Sequence, residues 1–230
     1  MEEQIKTAMR FYLIATSLKY KIRSAWDEKH WNIKNDRLES IAEHVYGVCI
    51  LAISLNSQFN FDIDINKTLK MLLLHEIGET IIGDITPFDN ITQKEKAEIE
   101  HKAMRKVLEG LYEADEIYAL LLEFDDGKTK ESRFAYLCDK LEADIQAKVY
   151  QDKGYQRSLD DQEGNVVFNS PKINRMIENG ASTAFDIWYE WDKSKFENDP
   201  VFKYLLDFIR DNDLNVEKGE LTNSKSSIKI

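Results

Sequence analysis

Two acids and an imidazole stand within an otherwise apolar segment of this chain. Residues 69–82 are apolar on most sides, which predicts a buried helix over residues 66–82. His75 and Glu79 are four residues apart and share one face of that helix, with Glu76 next to it. Because a buried carboxylate costs several kcal/mol unless it is paired or binds a metal, the segment is a candidate metal centre.

Two further residues with metal-binding side chains lie in apolar surroundings. His44 follows a capping box formed by Ser40 and Glu43, which predicts a helix over residues 40–55 and gives Glu43 a structural role. Asp139 lies in a third helix with an apolar side, and an acid embedded there needs a partner. A lone buried histidine is usually a core residue, but these groups together favour a metal site.

Helices are the elements that must position these residues. The chain has nine glycines, three prolines and no sustained strand pattern, so we expect an all-α fold. A single domain is predicted over residues 1–214, with a long surface loop over residues 154–171 and a disordered polar tail over residues 215–230. Apolar periodicity predicts helices over residues 3–20, 40–55, 66–82, 92–110, 113–124, 130–153, 171–193 and 198–211.

Composition and charge exclude several classes of function. The net charge of −11 argues against a nucleic-acid polymer as partner. No apolar run reaches the roughly 18 residues that span a bilayer, so no membrane segment is expected, and the first residues lack the features of a secretory signal. Cys49 and Cys138 have no CxxC spacing and are expected to be buried, reduced thiols. We therefore expect a cytoplasmic protein.

The segment over residues 19–37 differs from the rest of this acidic chain. It has six basic and three acidic side chains, a local excess of three positive charges, and it includes Trp26 and Trp31. One interpretation is a solvated connector. The other is a site that binds an anion and an aromatic ring.

The chain contains three separated motifs: RLESIAEH over residues 37–44, HEIGETIIGDITP over residues 75–87 and DKLE over residues 139–142. In this order they resemble the HD-domain metal-dependent phosphohydrolases, and they are most similar to the small all-α subgroup that includes the bacterial 5′-deoxynucleotidases. The resemblance covers roughly residues 5–150. It implies a single HD-domain helical bundle, here with additional C-terminal helices.

The resemblance implies one divalent metal ion held by His44, His75, Glu76 and Asp139. Two imidazoles and two carboxylates suit Mn²⁺, Co²⁺, Fe²⁺, Zn²⁺ or Mg²⁺ and do not select strongly among them. Such an ion lowers the pKa of bound water and neutralises charge that develops on phosphorus. The family takes its name from a His-Asp pair, whereas in this chain Glu76 takes the second place.

The resemblance also implies two catalytic acids. Glu79 and Asp84 match acids that lie beside the metal, where they orient or deprotonate the attacking water and protonate the leaving ribose oxygen. The sequence leaves open which acid does which. Thr86, two residues after Asp84, is a candidate substrate contact.

A substrate-binding arm is implied upstream of the first ligand histidine. The subgroup has an arginine close before a tryptophan for phosphate and base contact, and Arg23 and Trp26 fit that description. The interval from Trp26 to His44 is several residues longer than the pattern. Trp31 is therefore the alternative stacking ring, with Lys29 near the phosphate.

The function implied is release of phosphate from a small phosphorylated substrate, a nucleoside or deoxynucleoside 5′-monophosphate. Two alternatives remain open: a nucleotide or alarmone pyrophosphohydrolase or triphosphohydrolase, and a metal-stabilised regulatory module without turnover. Intact Glu79 and Asp84 count against the regulatory module, since a structural metal site needs no spare buried acids. The modest basic excess favours the substrate with fewer phosphates.

Aromatic side chains near the C-terminus bear on assembly. Similar small HD proteins are often dimers, and aromatic residues are enriched in buried interfaces, so we expect a homodimer that uses part of this surface. The alternative is that the same rings close the core of the monomer. The residues concerned are Phe185, Trp188, Tyr189 and Trp191.

Overall fold

The computed structural model describes residues 1–89, 91–162 and 164–214, and three short strands between residues 216 and 229. The chain divides into a first unit, Met1–Ser24 with Glu39–Asp139, and a second unit, Ala25–Leu38 with Lys140–Ile230. The α-helices are α1 (Glu2–Ala15), α2 (Ile41–Phe59), α3 (Ile65–Leu74), α4 (Glu79–Ile82), α5 (Gln93–Leu108), α6 (Ala114–Asp126), α7 (Lys130–Asp152), α8 (Pro171–Glu178), α9 (Ala184–Asp192) and α10 (Pro200–Asp211).

The prediction of an all-α fold is confirmed, since helices dominate residues 1–214. None of the helices in the described part of the chain has the length and apolar character that crossing a bilayer requires. Half of the tail predicted to be disordered, over residues 215–230, falls outside the described residues. Its described parts form an antiparallel sheet with the order β1-β2-β3, namely β1 (Val216–Glu217), β2 (Glu220–Thr222) and β3 (Ser227–Lys229).

The helix predicted over residues 66–82 is interrupted, which corrects that prediction. α3 ends at Leu74, residues 75–78 form a turn, and α4 begins at Glu79. The helix predicted over residues 171–193 is also divided, into α8 and α9. The predicted capping box of α2 is confirmed.

The first interruption has a local cause. His75 Nδ1 donates a hydrogen bond to the carbonyl oxygen of Leu72 at 2.6 Å. In a continuous α-helix that carbonyl would accept the amide of Glu76. The backbone tightens instead, and the amide of Ile77 donates three residues back, to Leu74, at 3.0 Å. The turn therefore forms where the imidazole, and not a backbone amide, bonds to the Leu72 carbonyl.

A hydrophobic core in the first unit holds this turn in place. Ile77 is only 2% exposed, and burying such a side chain contributes about 1.5–3 kcal/mol. A Cβ added to Gly78 would lie 3.4 Å from the carbonyl oxygen of Glu100, so the turn approaches α5 closely. The core cluster consists of Ile77, Met104, Val107, Leu108, Ile117 and Leu121.

Aromatic rings fill the core of the second unit. Trp26 is 1% exposed, with ring centroids 5.2 Å from Tyr150 and 5.3 Å from Trp188. Trp31 is 3% exposed and lies 6.1 Å from Trp188 and 6.4 Å from Phe168. Rings of this size bury large apolar areas and dominate packing energy. Both tryptophans therefore contribute to the stability of this unit.

The second unit also buries an acid without a hydrogen-bonding partner. Asp144 of α7 is fully buried, and neither of its carboxylate oxygens has a hydrogen bond among the described residues. Burial raises the pKa of Asp144 well above its usual range, and the charge of Asp192 raises it further. Lys195 and Lys140 act in the opposite direction. The folded protein thus favours the protonated form of Asp144.

Replacing Asp144 with asparagine should stabilise the fold increasingly as the pH rises. The pKa of Asp144 is higher in the folded than in the unfolded state, so stability that is present below the unfolded pKa is lost as the pH rises through the folded one. Asparagine does not titrate. Urea unfolding at pH 5 and pH 8 should give a larger gain in unfolding free energy at pH 8. Asp115→Asn, which alters a fully exposed side chain, is the control. An equal gain at both pH values contradicts the prediction.

Candidate metal centre

His75 is oriented with one ring nitrogen toward a cluster of acids. Its Nδ1 donates to Leu72, so the neutral imidazole presents an unprotonated Nε2. Nε2 lies 3.5 Å from Glu76 Oε1 and 3.6 Å from Asp139 Oδ1. It is buried and has no hydrogen-bonding partner among the described residues. A lone pair held in this way is a ready metal ligand.

His44 and Asp139 complete the cluster from two other helices. His44 lies in the first turn of α2, where its amide bonds to the Ser40 carbonyl at 3.1 Å. The His44 side chain is fully buried, and its Nε2 lies 3.0 Å from Asp139 Oδ1 and 3.8 Å from Glu76 Oε1. Asp139 is the last residue of the first unit, on α7. The capping box of α2 thus fixes the position of one imidazole.

The spacing of these four groups fits a divalent metal ion. The possible ligand atoms of His44, His75, Glu76 and Asp139 all lie within 4.8 Å of one another. Ligands at 2.0–2.2 Å from a shared ion, with ordinary bond angles, are separated by roughly 2.8–3.6 Å. Three of the four distances given above, 3.0, 3.5 and 3.6 Å, fall in that range. A metal ion would also give His75 Nε2 a partner, which it lacks among the described residues. The cluster can therefore hold a metal, and its mixed donor set leaves the identity of the metal open.

Glu76 is shared between the histidines and an arginine. Arg23 Nη1 donates to Glu76 Oε1 at 2.9 Å, and the two side chains are 14% and 15% exposed. Burial acts to raise the pKa of Glu76, but electrostatic interactions with the neighbouring His75 and Arg23 outweigh it and hold the pKa at about 2. Glu76 is therefore ionised, as a metal ligand requires.

Glu79 is a buried acid beside the cluster. It is 5% exposed at the start of α4, and its Oε2 has no hydrogen-bonding partner among the described residues. Burial, with the charges of Glu76 and Asp84, raises the pKa of Glu79 to about 11. This environment stabilises the protonated carboxyl group, which can donate a proton.

Asp84 lies on the irregular segment that follows α4. Its Oδ2 accepts the backbone amide of Ser24 at 2.8 Å and lies 3.9 Å from Arg23 Nε. The charges of Asp84 and Glu76 keep the pKa of Arg23 above its usual value despite burial, which acts to lower it. Arg23 thus connects Glu76 and Asp84.

Thr86 has a structural explanation. Its hydroxyl donates to Asp89 Oδ2 at 3.0 Å and accepts the amide of Phe88 at 3.2 Å. Its amide also bonds to Asp89, at 2.7 Å. These bonds form a local turn and involve the hydroxyl that was expected to contact substrate.

The predicted substrate arm is divided between the two units. Arg23 belongs to the first unit and contacts the acid cluster, whereas Trp26, Lys29 and Trp31 belong to the second unit. The expectation of base stacking had assumed rings that are free to contact a base. Both tryptophans instead pack against aromatic neighbours. Lys29 is exposed on a turn where its amide bonds to Asp27.

Sequence reasoning missed three side chains close to the site. Ser24 bonds to Asp84, as described above. The Phe124 ring lies 5.2 Å from the His75 ring, and Asp125, which bonds to His101 at 2.9 Å, interacts electrostatically with His75 and Glu76. These contacts join residues far apart in the chain, and no local spacing signals them. Only the proximity of Ser24 to the candidate Arg23 offered a hint.

Two helices and the turn after α3 bring two imidazoles and two carboxylates together, which defines a helical domain that can hold a metal. Residues 15–179, which make up well over half of the sequence, match the HD domain family. The chain therefore belongs to the HD domain family.

Several relatives carry the name 5′-deoxynucleotidase. HDDC2 of Dictyostelium discoideum is 32% identical over 155 residues, covering 64% of this chain and 80% of the relative. HDDC2 of Homo sapiens is 28% identical over 180 residues, covering 75% and 83%. The protein hdd1 of Schizosaccharomyces pombe is 36% identical over 126 residues, covering 51% and 61%.

Solved structures support the fold. PH0347 of Pyrococcus horikoshii OT3 has a TM-score of 0.60 at 23% identity, covering 88% of this chain and 96% of that chain. A predicted metal-dependent phosphohydrolase of Magnetospirillum magnetotacticum MS-1 has a TM-score of 0.54 at 26% identity, covering 66% and 74%.

Replacing His75 with alanine should abolish metal binding, whereas Glu79→Ala should leave it nearly intact. His75 Nε2 faces the other ligand atoms, so its removal should cost more than the roughly 10–100-fold typical of a residue outside the ligand set. Calorimetric titration with Mn²⁺ and Co²⁺ measures affinity, and circular dichroism checks folding. His101→Ala, which removes a histidine outside the cluster, is the control. Equal losses in the His75 and Glu79 variants would identify Glu79 as a ligand.

Proposed function

We propose that this protein is a metal-dependent phosphohydrolase that releases phosphate from nucleoside and deoxynucleoside 5′-monophosphates. The observation that supports this most directly is the convergence of two imidazoles and two carboxylates beside the buried acid Glu79 and the largely buried Asp84. The relatives' shared name supports a nucleotide as the substrate. The HD-type domain of the proposal spans residues 1–214, and the family match extends across both units.

In this proposal His44, His75, Glu76 and Asp139 hold one divalent ion: Mn²⁺, Co²⁺, Fe²⁺, Zn²⁺ or Mg²⁺. When bound, such an ion lowers the pKa of a water and neutralises charge on the phosphoryl oxygens. The protein supplies a fixed donor set, because the His75 tautomer is set by its bond to Leu72.

The chain's own acids handle the protons. Glu79 and Asp84 both interact electrostatically with the Arg23 guanidinium. One acid orients or deprotonates the attacking water, and the other protonates the leaving ribose oxygen. A positioned acid or base of this kind contributes about 10²–10⁴-fold in rate.

Arg23 is the proposed phosphate contact. Its Nη1 lies 2.9 Å from Glu76 Oε1, which holds the guanidinium at the cluster. A planar guanidinium group can donate two parallel hydrogen bonds to two oxygens of one phosphate. For the base, the proposal retains Trp26 and Trp31 as rings to test, with Lys29 and Thr86 as polar candidates. The packing of both rings in the second unit favours a structural role for them.

The proposal includes a cytoplasmic location and a homodimer. Phe185 is buried, and Trp188 packs against Trp26 and Trp31. Lys172 Nζ lies 3.8 Å above the Trp191 ring. These contacts leave less of α9 available to a second subunit than the sequence suggested.

Purified protein should release inorganic phosphate from nucleoside 5′-monophosphates only when a divalent metal is present. Glu79→Ala should lower the rate by about 10²–10⁴-fold because it removes a positioned acid. Glu98→Ala, which removes an exposed acid of α5, should retain wild-type turnover. The assay uses ribo- and deoxyribonucleoside mono-, di- and triphosphates and a guanosine tetraphosphate. Release of pyrophosphate or triphosphate favours the alternative hydrolases, and no release under any metal contradicts the proposal.

Trp26→Ala and Trp31→Ala should each lower the unfolding free energy by about 3–5 kcal/mol, the usual cost of truncating a buried ring. We expect KM for a nucleoside 5′-monophosphate to stay near the wild-type value. Stacking on a base is worth about 1–3 kcal/mol and would raise KM about 5–150-fold. Trp191→Ala, which removes a half-buried ring, is the control. A clear rise in KM without loss of stability would assign base contact to that tryptophan.

A further inference from the structure

Ser24 makes two hydrogen bonds to one residue of the proposed active site. Its amide donates to Asp84 Oδ2 at 2.8 Å, and its hydroxyl donates to the backbone carbonyl of Asp84 at 2.9 Å. The two residues are 60 positions apart in the chain, and both belong to the first unit. Ser24 therefore fixes the backbone and the side chain of Asp84 together.

Asp84 needs such an anchor because of its place in the backbone. Gly83 ends α4 with a φ of +79°, in the left-handed region that glycine adopts readily. Residues 83–86 belong to no helix or strand, so their polar backbone groups must bond elsewhere. Ser24 takes the Asp84 carbonyl, and Lys96 Nζ takes the next one, of Ile85, at 2.7 Å.

The contact with Ser24 also distinguishes the two oxygens of Asp84. Oδ2 accepts the Ser24 amide, whereas Oδ1 makes no hydrogen bond within the part of the chain that the structure describes. The Asp84 side chain is 11% exposed, so water does little to orient it. With Oδ2 held, Oδ1 is the oxygen available for a water or a substrate hydroxyl.

We propose that Ser24 is a positioning residue that holds Asp84 so that its Oδ1 meets the substrate or the attacking water. This inference rests on the proposed function. Arg23, the proposed phosphate contact, is the neighbouring residue, so one dipeptide positions both a phosphate ligand and an acid. Small errors in the placement of a catalytic group cost rate more than binding.

Ser24→Ala and Ser24→Thr test the proposal by steady-state kinetics on a nucleoside 5′-monophosphate with saturating metal. Ser24→Ala should lower kcat by about 2–10-fold, the effect of one net hydrogen bond, with KM and metal affinity unchanged. Ser24→Thr keeps the hydroxyl and should restore most of the rate. Ser17→Ala is the matched control, since the Ser17 hydroxyl also bonds a backbone carbonyl, at 2.7 Å, outside the site.

Each result decides the proposal. Wild-type kcat in Ser24→Ala overturns it, as does a Thr variant as slow as the Ala variant. An equal loss in Ser17→Ala assigns the effect to general stability and also overturns it. If the wild-type protein hydrolyses no nucleotide with any metal, the proposed function fails first and Ser24 has no acid to position.

Discussion

The first unit is organised around carboxyl groups that have been withdrawn from water. Glu76, Glu79, Asp84 and Asp139 are each no more than 15% exposed in their side chains or as whole residues. Isolated carboxylates in such surroundings cost several kcal/mol each. Arg23 offsets part of this negative charge. The pKa of Glu76 is lowered beside Arg23, whereas the pKa of Glu79 is raised by burial and by its acidic neighbours. A bound divalent cation would supply the missing positive charge, so the same imbalance that costs folding energy gives affinity for a metal.

The backbone around His75 is shaped by the same requirement. A continuous helix would have used the Leu72 carbonyl for the amide of Glu76, but the imidazole takes that acceptor. This bond selects the tautomer that leaves Nε2 unprotonated, and it produces the turn over residues 75–78. Burial of Ile77 then anchors the turn to the core. Local geometry and ligand chemistry are therefore set by one hydrogen bond.

Features that depend on neighbouring residues could be predicted from the sequence, and features that depend on distant ones could not. The capping box of α2, the order of the motifs and the convergence of His44 with Asp139 followed from local patterns and the family resemblance. The turn at His75 was missed, because apolar periodicity cannot show which group occupies a carbonyl. The burial of Trp26 and the bonds of Ser24 depend on residues far along the chain.

The glutamate at position 76 stands where the family name implies an aspartate, and it contacts both Arg23 and the histidines. Its extra methylene extends the carboxylate by about 1.5 Å, and its Oε1 lies 2.9 Å from Arg23 Nη1 while remaining 3.5 Å from His75 Nε2. Glu76 therefore links the ligand cluster to the proposed phosphate contact, and through Arg23 to Asp84. In this chain the candidate metal ligands, Arg23 and Asp84 form one electrostatic network, so that moving any one group changes the environment of the others.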